Sequence, residues 1–119
     1  MAWSFSAEKP VYLQIAERIT VSILSGKYSP SEQIPSVRQL ALEAAVNPNT
    51  VQHAFSELED EGIIVSKGTQ GRFVTEETQI IESCRKKLVK QLFNDFVTKS
   101  KELSVTKEEL LSIVEEMEL

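Results

Sequence analysis

Residues 34–61, IPSVRQLALEAAVNPNTVQHAFSELEDE, read as two short helices joined by a tight turn. Ser36 stands at a position suited to an N-cap, and Gln39 three residues later completes a capping-box pattern. Val37, Leu40, Ala41 and Ala44 then recur on one face at helical spacing. Ala45-Val46-Asn47 supplies the turn, and Asn47-Pro48 restarts the chain. An N-cap Asn followed by Pro at the first helical position is a matched start signal, because the N–H that Pro lacks has no partner there. In the second helix Val51, Ala54, Phe55 and Leu58 form a stripe to be buried. Asn49, Gln52, His53 and Ser56 repeat at i, i+3, i+4 and i+7 on the other side. A helix lying in a DNA major groove presents such a face, since Asn and Gln bond adenine N6 and N7 in bidentate fashion. The segment reads as a helix-turn-helix.

Two amphipathic helices about a turn are common in proteins that touch no nucleic acid, so the flanking chain decides between the readings. Gly62 ends the second helix, and two short β-branched runs, residues 63–66 and 72–75, follow about the loop KGTQG, residues 67–71. This is the pattern of a β-hairpin. Before the segment, Lys9-Pro10 opens a helix whose stripe is Tyr12, Ile15, Ala16, Ile19, Ile23 and Leu24, with Gly26 as its stop. GKYSPSEQ is a polar turn, and Gln33-Ile34 suits a brief strand. Helix, helix, helix, hairpin is the order of a winged helix, with Lys67 and Arg72 placed on the wing to meet phosphate or a minor groove. Trp3 and Phe5 alternate with polar residues as a short extended arm, packed on the core or on a partner.

From Thr78 the pattern changes. Ile81, Cys84, Leu88, Leu92 and Phe96 recur at three- and four-residue steps, flanked by Val89, Phe93 and Val97. After a break near residues 103–105, Thr106 to Glu109 form a second capping-box pattern, and Leu110, Leu111, Ile113, Val114 and Met117 make the stripe of a final helix. Two amphipathic helices after a complete winged helix have little left in their own chain to cover them, and such faces mark interaction sites. The expected organisation is mainly α with a small β-hairpin. A winged helix-turn-helix DNA-binding domain covers residues 1–77, and two C-terminal dimerisation helices cover residues 78–119. Ile81, Cys84, Leu88, Leu92, Phe96, Leu110, Ile113 and Val114 are the expected contacts of a homodimer.

Composition bounds the rest. The chain has 119 residues, 13 Lys and Arg against 18 Asp and Glu, and a net charge of −5. Residues 1–78 carry 6 basic and 10 acidic side chains, and residues 79–119 carry 7 and 8. Neither half is basic, whereas a DNA-binding domain is expected to show a basic patch. Placement matters more than the sum: Glu57, Glu59, Asp60 and Glu61 crowd the far end of the second helix, while its first two turns carry no acid. The balance predicts weak non-specific binding that salt strongly reduces. One cysteine forbids an internal disulfide, which suits a reducing, cytoplasmic setting. No stretch resembles a signal peptide or approaches the ~20 apolar residues of a membrane span. A single His and a single Cys cannot build a zinc site, and neither a Ser/His/Asp order nor a phosphate loop is present. No enzyme activity, metal or cofactor is expected.

Residues 10–74 resemble the DNA-binding domain of the GntR family of bacterial transcription regulators along their whole length. The likeness is carried by Tyr12-Leu-Gln-Ile15, Gly26, Ile34-Pro-Ser-Val-Arg38-Gln-Leu-Ala41, Val46-Asn-Pro-Asn-Thr-Val51, Ala54-Phe55, Leu58-Glu59, Glu61-Gly62-Ile63, Gly71 and Phe73-Val74. The short two-helix tail, chiefly through Val105-Thr-Lys-Glu-Glu-Leu110, looks like the YtrA-like subfamily, whose members are typically dimeric and often sit beside genes for membrane transporters. The resemblance implies an operator contact for Arg38, base or backbone contacts for Ser36, Asn47, Asn49, Thr50, Gln52 and His53, and a wing carrying Lys67, Gly71 and Arg72. Three positions depart from the family pattern. His53 replaces a usual Arg, Ala45 replaces a usual Gly, and the basic residues of the wing stand at its two sides.

The function so implied is a sequence-specific repressor, a homodimer on a palindromic double-stranded DNA operator, with transporter genes as targets. The alternative is a dimerising protein-interaction module that has lost DNA binding. A small-molecule effector, if one acts, is expected between tail and DNA-binding domain or at the dimer interface.

Overall fold

Local signals place the ends of the two central helices. The computed structural model describes residues 2–119, with elements in the order α1 (Val11–Leu24), α2 (Val37–Ala44), α3 (Pro48–Glu61), β1 (Ile64–Ser66), β2 (Arg72–Val74), α4 (Thr78–Lys101) and α5 (Lys107–Glu116). Ser36 Oγ accepts the Gln39 N–H at 3.1 Å and Gln39 Oε1 accepts the Ser36 N–H at 2.8 Å, so the capping box of α2 is complete. Ala45 ends α2 in the left-handed region at φ 58°. Asn47 Oδ1 accepts the Asn49 N–H at 2.8 Å, Pro48 begins α3, and Gly62 closes it at φ 79°. Pro10 stands just before α1, where its carbonyl accepts from Leu13 and Gln14.

α3 packs against both α1 and α2. Its stripe of Val51, Ala54, Phe55 and Leu58 is buried with Ile15, Ile19 and Ile23 of α1 and Leu40 and Ala41 of α2. Ile63, Ile64 and Val74 join this core from the hairpin side. Strands β1 and β2 pair antiparallel in the register Ile64↔Val74, Val65↔Phe73, Ser66↔Arg72, with a 3₁₀ turn over Gly68–Gln70 between them. The segment expected as a brief strand lies along β2 instead of forming one of its own. Gln33 bridges Phe73, and the Ile34 N–H donates to the Arg72 carbonyl at 3.0 Å. This crowds Gly71: at φ 105° a Cβ there would stand 2.8 Å from Gln33 Nε2, which donates to the Gln70 carbonyl at 2.7 Å. The N-terminal arm packs on its own core through Trp3 and Phe5. The Arg18 guanidinium lies 4.0 Å from the Trp3 ring centroid, and the Gln14 amide bonds both the N–H and the carbonyl of Ser6.

The chain divides into two compact units within α4, one ending at Cys84 and the other Arg85–Leu119. Ile81 is buried in the core of the first unit and Cys84 packs against that core. Both were expected in a dimer face; Ile81 is instead enclosed in the core of its own unit, which leaves it no surface to offer a partner, while Cys84 is half-buried beside that core. In the second unit Thr106 caps α5 by accepting the Glu109 N–H at 3.2 Å. The expected capping box is only half formed, since Glu109 Oε1 accepts the Thr106 hydroxyl at 3.3 Å instead of a backbone N–H. Leu92, Phe93, Phe96, Leu111, Ile113 and Val114 are exposed, while Leu88 and Leu110 are half-buried. An apolar groove of about 340 Å³ runs among Phe93, Val97, Val105, Leu110 and Val114.

Candidate nucleic-acid interface

The buried stripe of α3 fixes which of its side chains face outward. With Val51, Ala54, Phe55 and Leu58 in the core, Asn49, Gln52, His53 and Ser56 are exposed together and Thr50 is half-buried. No acid lies in the first turn of α3, and its N-terminal N–H groups add partial positive charge. The amide groups of Asn49 and Gln52 make no side-chain hydrogen bond among the described residues, so their donors and acceptors are available to a ligand. Ser36 and Asn47 are differently employed. Their side-chain oxygens cap α2 and α3, which leaves the Ser36 hydroxyl proton and the Asn47 NH₂ as the groups they can offer.

Arg38 is exposed near the start of α2 and makes no ion pair among the described residues. Together with Ser36, Gln33, Gly71 and Arg72 it borders an open groove of about 690 Å³. Helix α2 and the foot of the wing thus share one concave surface. Tyr28 also lines it, and burial, aided by the Glu43 and Glu32 carboxylates, holds its phenol above the usual range, so the hydroxyl stays a neutral donor.

The wing differs from expectation. Arg72 opens β2, as the second run implied, but its side chain is engaged and not free for a ligand. Its Nε donates to Glu59 Oε1 at 2.7 Å, and its guanidinium lies 4.9 Å from the Phe55 ring centroid. The last turn of α3 carries Glu59 to within reach of β2, and this draws Arg72 inward. Lys67 remains exposed, with Nζ 4.7 Å from the Phe73 ring centroid and no acid partner among the described residues.

One contact of the α3 row lies outside what the sequence pattern shows. The Tyr12 ring of α1 stacks on the His53 imidazole, with ring centroids 3.5 Å apart and planes 9° apart. Tyr12 belongs to the expected core stripe of α1, but it is half-buried at the edge of that stripe, and helical periodicity alone does not show what its outer face meets. Among the described residues no three His, Cys, Asp or Glu side chains gather as they would around a metal ion. No helix among them is long and apolar enough to cross a membrane.

Comparison with known proteins agrees with this geometry. The family model described as bacterial regulatory proteins, gntR family, matches residues 11–74, from the start of α1 to the end of β2. The chain is 40% identical over 107 residues to the uncharacterized HTH-type transcriptional regulator YhcF of Bacillus subtilis, covering 90% of this chain and 88% of that protein. It is 38% identical over 91 residues to the HTH-type transcriptional repressor YtrA of the same organism, covering 72% and 70%. Among solved structures, a GntR family transcriptional regulator from Listeria monocytogenes superposes with a TM-score of 0.87 at 35% identity, covering 96% of this chain and all (100%) of that one.

Proposed function

The chain belongs to the gntR family of bacterial regulatory proteins, and on that premise we propose that it is a dimeric repressor seated on a palindromic operator. The observation that carries this reading is the exposed row Asn49, Gln52, His53 at the acid-free start of α3, with exposed Arg38, which has no ion-pair partner among the described residues, on the preceding helix α2. Amides facing solvent in that row suit base edges, while Arg38 and the helix N-termini suit phosphates, which fix register without reading sequence.

Repression then needs no chemistry: a protein occupying a promoter excludes the polymerase. Dimerisation would come from the apolar side chains that the second unit leaves uncovered, Leu92, Phe96, Ile113 and Val114 above all, with Leu88 and Leu110 at the margin. A two-fold axis requires two half-sites of inverted sequence, with centres about one helical turn (~10 bp) apart if the pair docks as other dimeric helix-turn-helix proteins do. The repressor name of the YtrA relative supports the sign of regulation, and the transporter genes implied by the tail's resemblance to the YtrA-like subfamily are the targets of this reading.

Fluorescence anisotropy tests the reading. The full chain should bind random-sequence duplex at about 50 mM salt, lose that binding steeply as salt rises, and enrich an inverted repeat from a random pool. Absence of binding at the lower salt would leave the second reading, a dimerising interaction module, which the net charge of −5 and the engagement of Arg72 by Glu59 favour.

A further inference from the structure

We infer that Tyr12, on α1, is a positioning residue of the DNA interface: its ring clamps the His53 imidazole so that His53 reads a purine in the major groove. The inference rests on the operator-binding reading above and adds to it a residue outside the helix-turn-helix. Three observations support it. First, the rings are nearly parallel at van der Waals distance, 3.5 Å and 9°, across two different helices. Second, Tyr12 is half-buried against the core, so the platform it offers is fixed, whereas His53 is exposed on the same row as Asn49 and Gln52. Third, neither His53 ring nitrogen has a hydrogen-bond partner among the described residues.

An exposed imidazole swivels broadly about its outer torsion, because a terminal torsion onto an sp² ring has no sharp wells. Stacking on Tyr12 removes that freedom and covers one ring face, leaving the ring edge with its two nitrogens as the part that can meet DNA. In either protonation state the imidazole has at least one N–H to give. Guanine shows two adjacent acceptors, N7 and O6, on its major-groove edge, and adenine shows N7 beside a donor. A donor held in one plane therefore favours a purine, and guanine before adenine. A short side chain made rigid by a neighbour thus presents a fixed donor.

The test uses the full chain and the duplex it enriches from a random-sequence pool, with a scrambled duplex of equal length beside it. Binding is measured for wild type, Tyr12→Phe, Tyr12→Leu, His53→Ala and the Tyr12→Leu/His53→Ala double variant. Tyr12→Phe keeps the ring and should bind the enriched duplex within about twofold of wild type. Tyr12→Leu and His53→Ala should each weaken it roughly tenfold, the scale of one well-placed hydrogen bond, and leave the scrambled duplex unchanged. The double variant should be no weaker than His53→Ala alone, a non-additivity that loss of packing by itself does not produce. Should Tyr12→Leu disturb folding, Tyr12→Met supplies the same comparison with a side chain that fills the gap flexibly. Equal losses on both duplexes, additive losses in the double variant, or a Tyr12→Phe as weak as Tyr12→Leu would each overturn the clamp while leaving operator binding intact. A wild-type chain that enriches no sequence overturns the operator reading itself, and the clamp with it.

Discussion

Arg72 ties the wing to the end of α3 through Glu59: its Nε donates to Oε1 at 2.7 Å, with the two side chains only 22% and 31% exposed. A charge-assisted bond so placed does more than an exposed ion pair, because partial burial limits competition from water and salt. It also lowers the positive charge the wing can present. Glu59→Gln is therefore expected to act in two directions. Stability should fall by about 1 kcal/mol in urea unfolding, while affinity for random duplex at low salt should rise as Arg72 is released toward phosphate. Glu61→Gln makes the same change in net charge at an exposed residue with no basic partner among the described residues. If both variants raise DNA affinity equally, net charge is the cause and Arg72 plays no part.

Ala45 is the strained point of the helix-turn-helix. It ends α2 at φ 58° and ψ 49°, a left-handed conformation in which a Cβ crowds the following carbonyl oxygen and costs about 1–2 kcal/mol. Ala45 is exposed, so its methyl group offers little packing in return. Glycine removes the crowding but loses more entropy on folding, by about 0.5–1 kcal/mol. The first effect is the larger, and Ala45→Gly should stabilise the protein by up to about 1 kcal/mol, raising the urea midpoint without changing the slope. A lowered midpoint would mean that the turn relies on the methyl group.

What the sequence disclosed and what it hid follow from the range of the interactions concerned. Ser36 with Gln39, Asn47 with Asn49, and Gly62 are signals contained within a few residues, and the structure forms each of them. The buried stripe of α3 is equally local, since one helical period determines it. Arg72 and Glu59 are 13 positions apart, and Tyr12 and Ile81 meet partners on other elements; periodicity says that such residues are half-buried or buried, not against what. The exposed row of α3 was legible for the same reason as its stripe. The state of the wing was not, because Arg72 reads alike on paper whether it points to solvent or to Glu59.

Arg38 and Gln52 should separate affinity from specificity. Arg38 is an exposed cation without an ion-pair partner among the described residues, and Gln52 is an exposed amide on the outer row of α3. Arg38→Ala should weaken enriched and scrambled duplexes alike and reduce the slope of log affinity against log salt by about 1. Gln52→Ala should cost about 1–3 kcal/mol on the enriched duplex and little on the scrambled one. Anisotropy titrations across a salt series distinguish the two. Indistinguishable profiles would remove the division of labour between α2 and α3.

The second unit makes a contrast of a different kind. Leu92 is 68% exposed on α4, whereas Ile81, earlier on the same helix, is 8% exposed and belongs to the first unit's core. If the uncovered face of the second unit joins two copies, Leu92→Asp should place a charge in that seam and convert a dimer to a monomer. Urea unfolding of the monomeric variant should show the first unit no less stable, since Leu92 contributes nothing to its core. Ile81→Ala should do the reverse: leave association intact and lower stability by about 2–4 kcal/mol, the range for truncating a buried aliphatic side chain. Light scattering after size exclusion reads the first effect, and the urea midpoint reads the second. A Leu92→Asp variant still dimeric at micromolar concentration would move the interface away from the middle of α4, and an Ile81→Ala variant that dissociates without losing stability would return that residue to the seam.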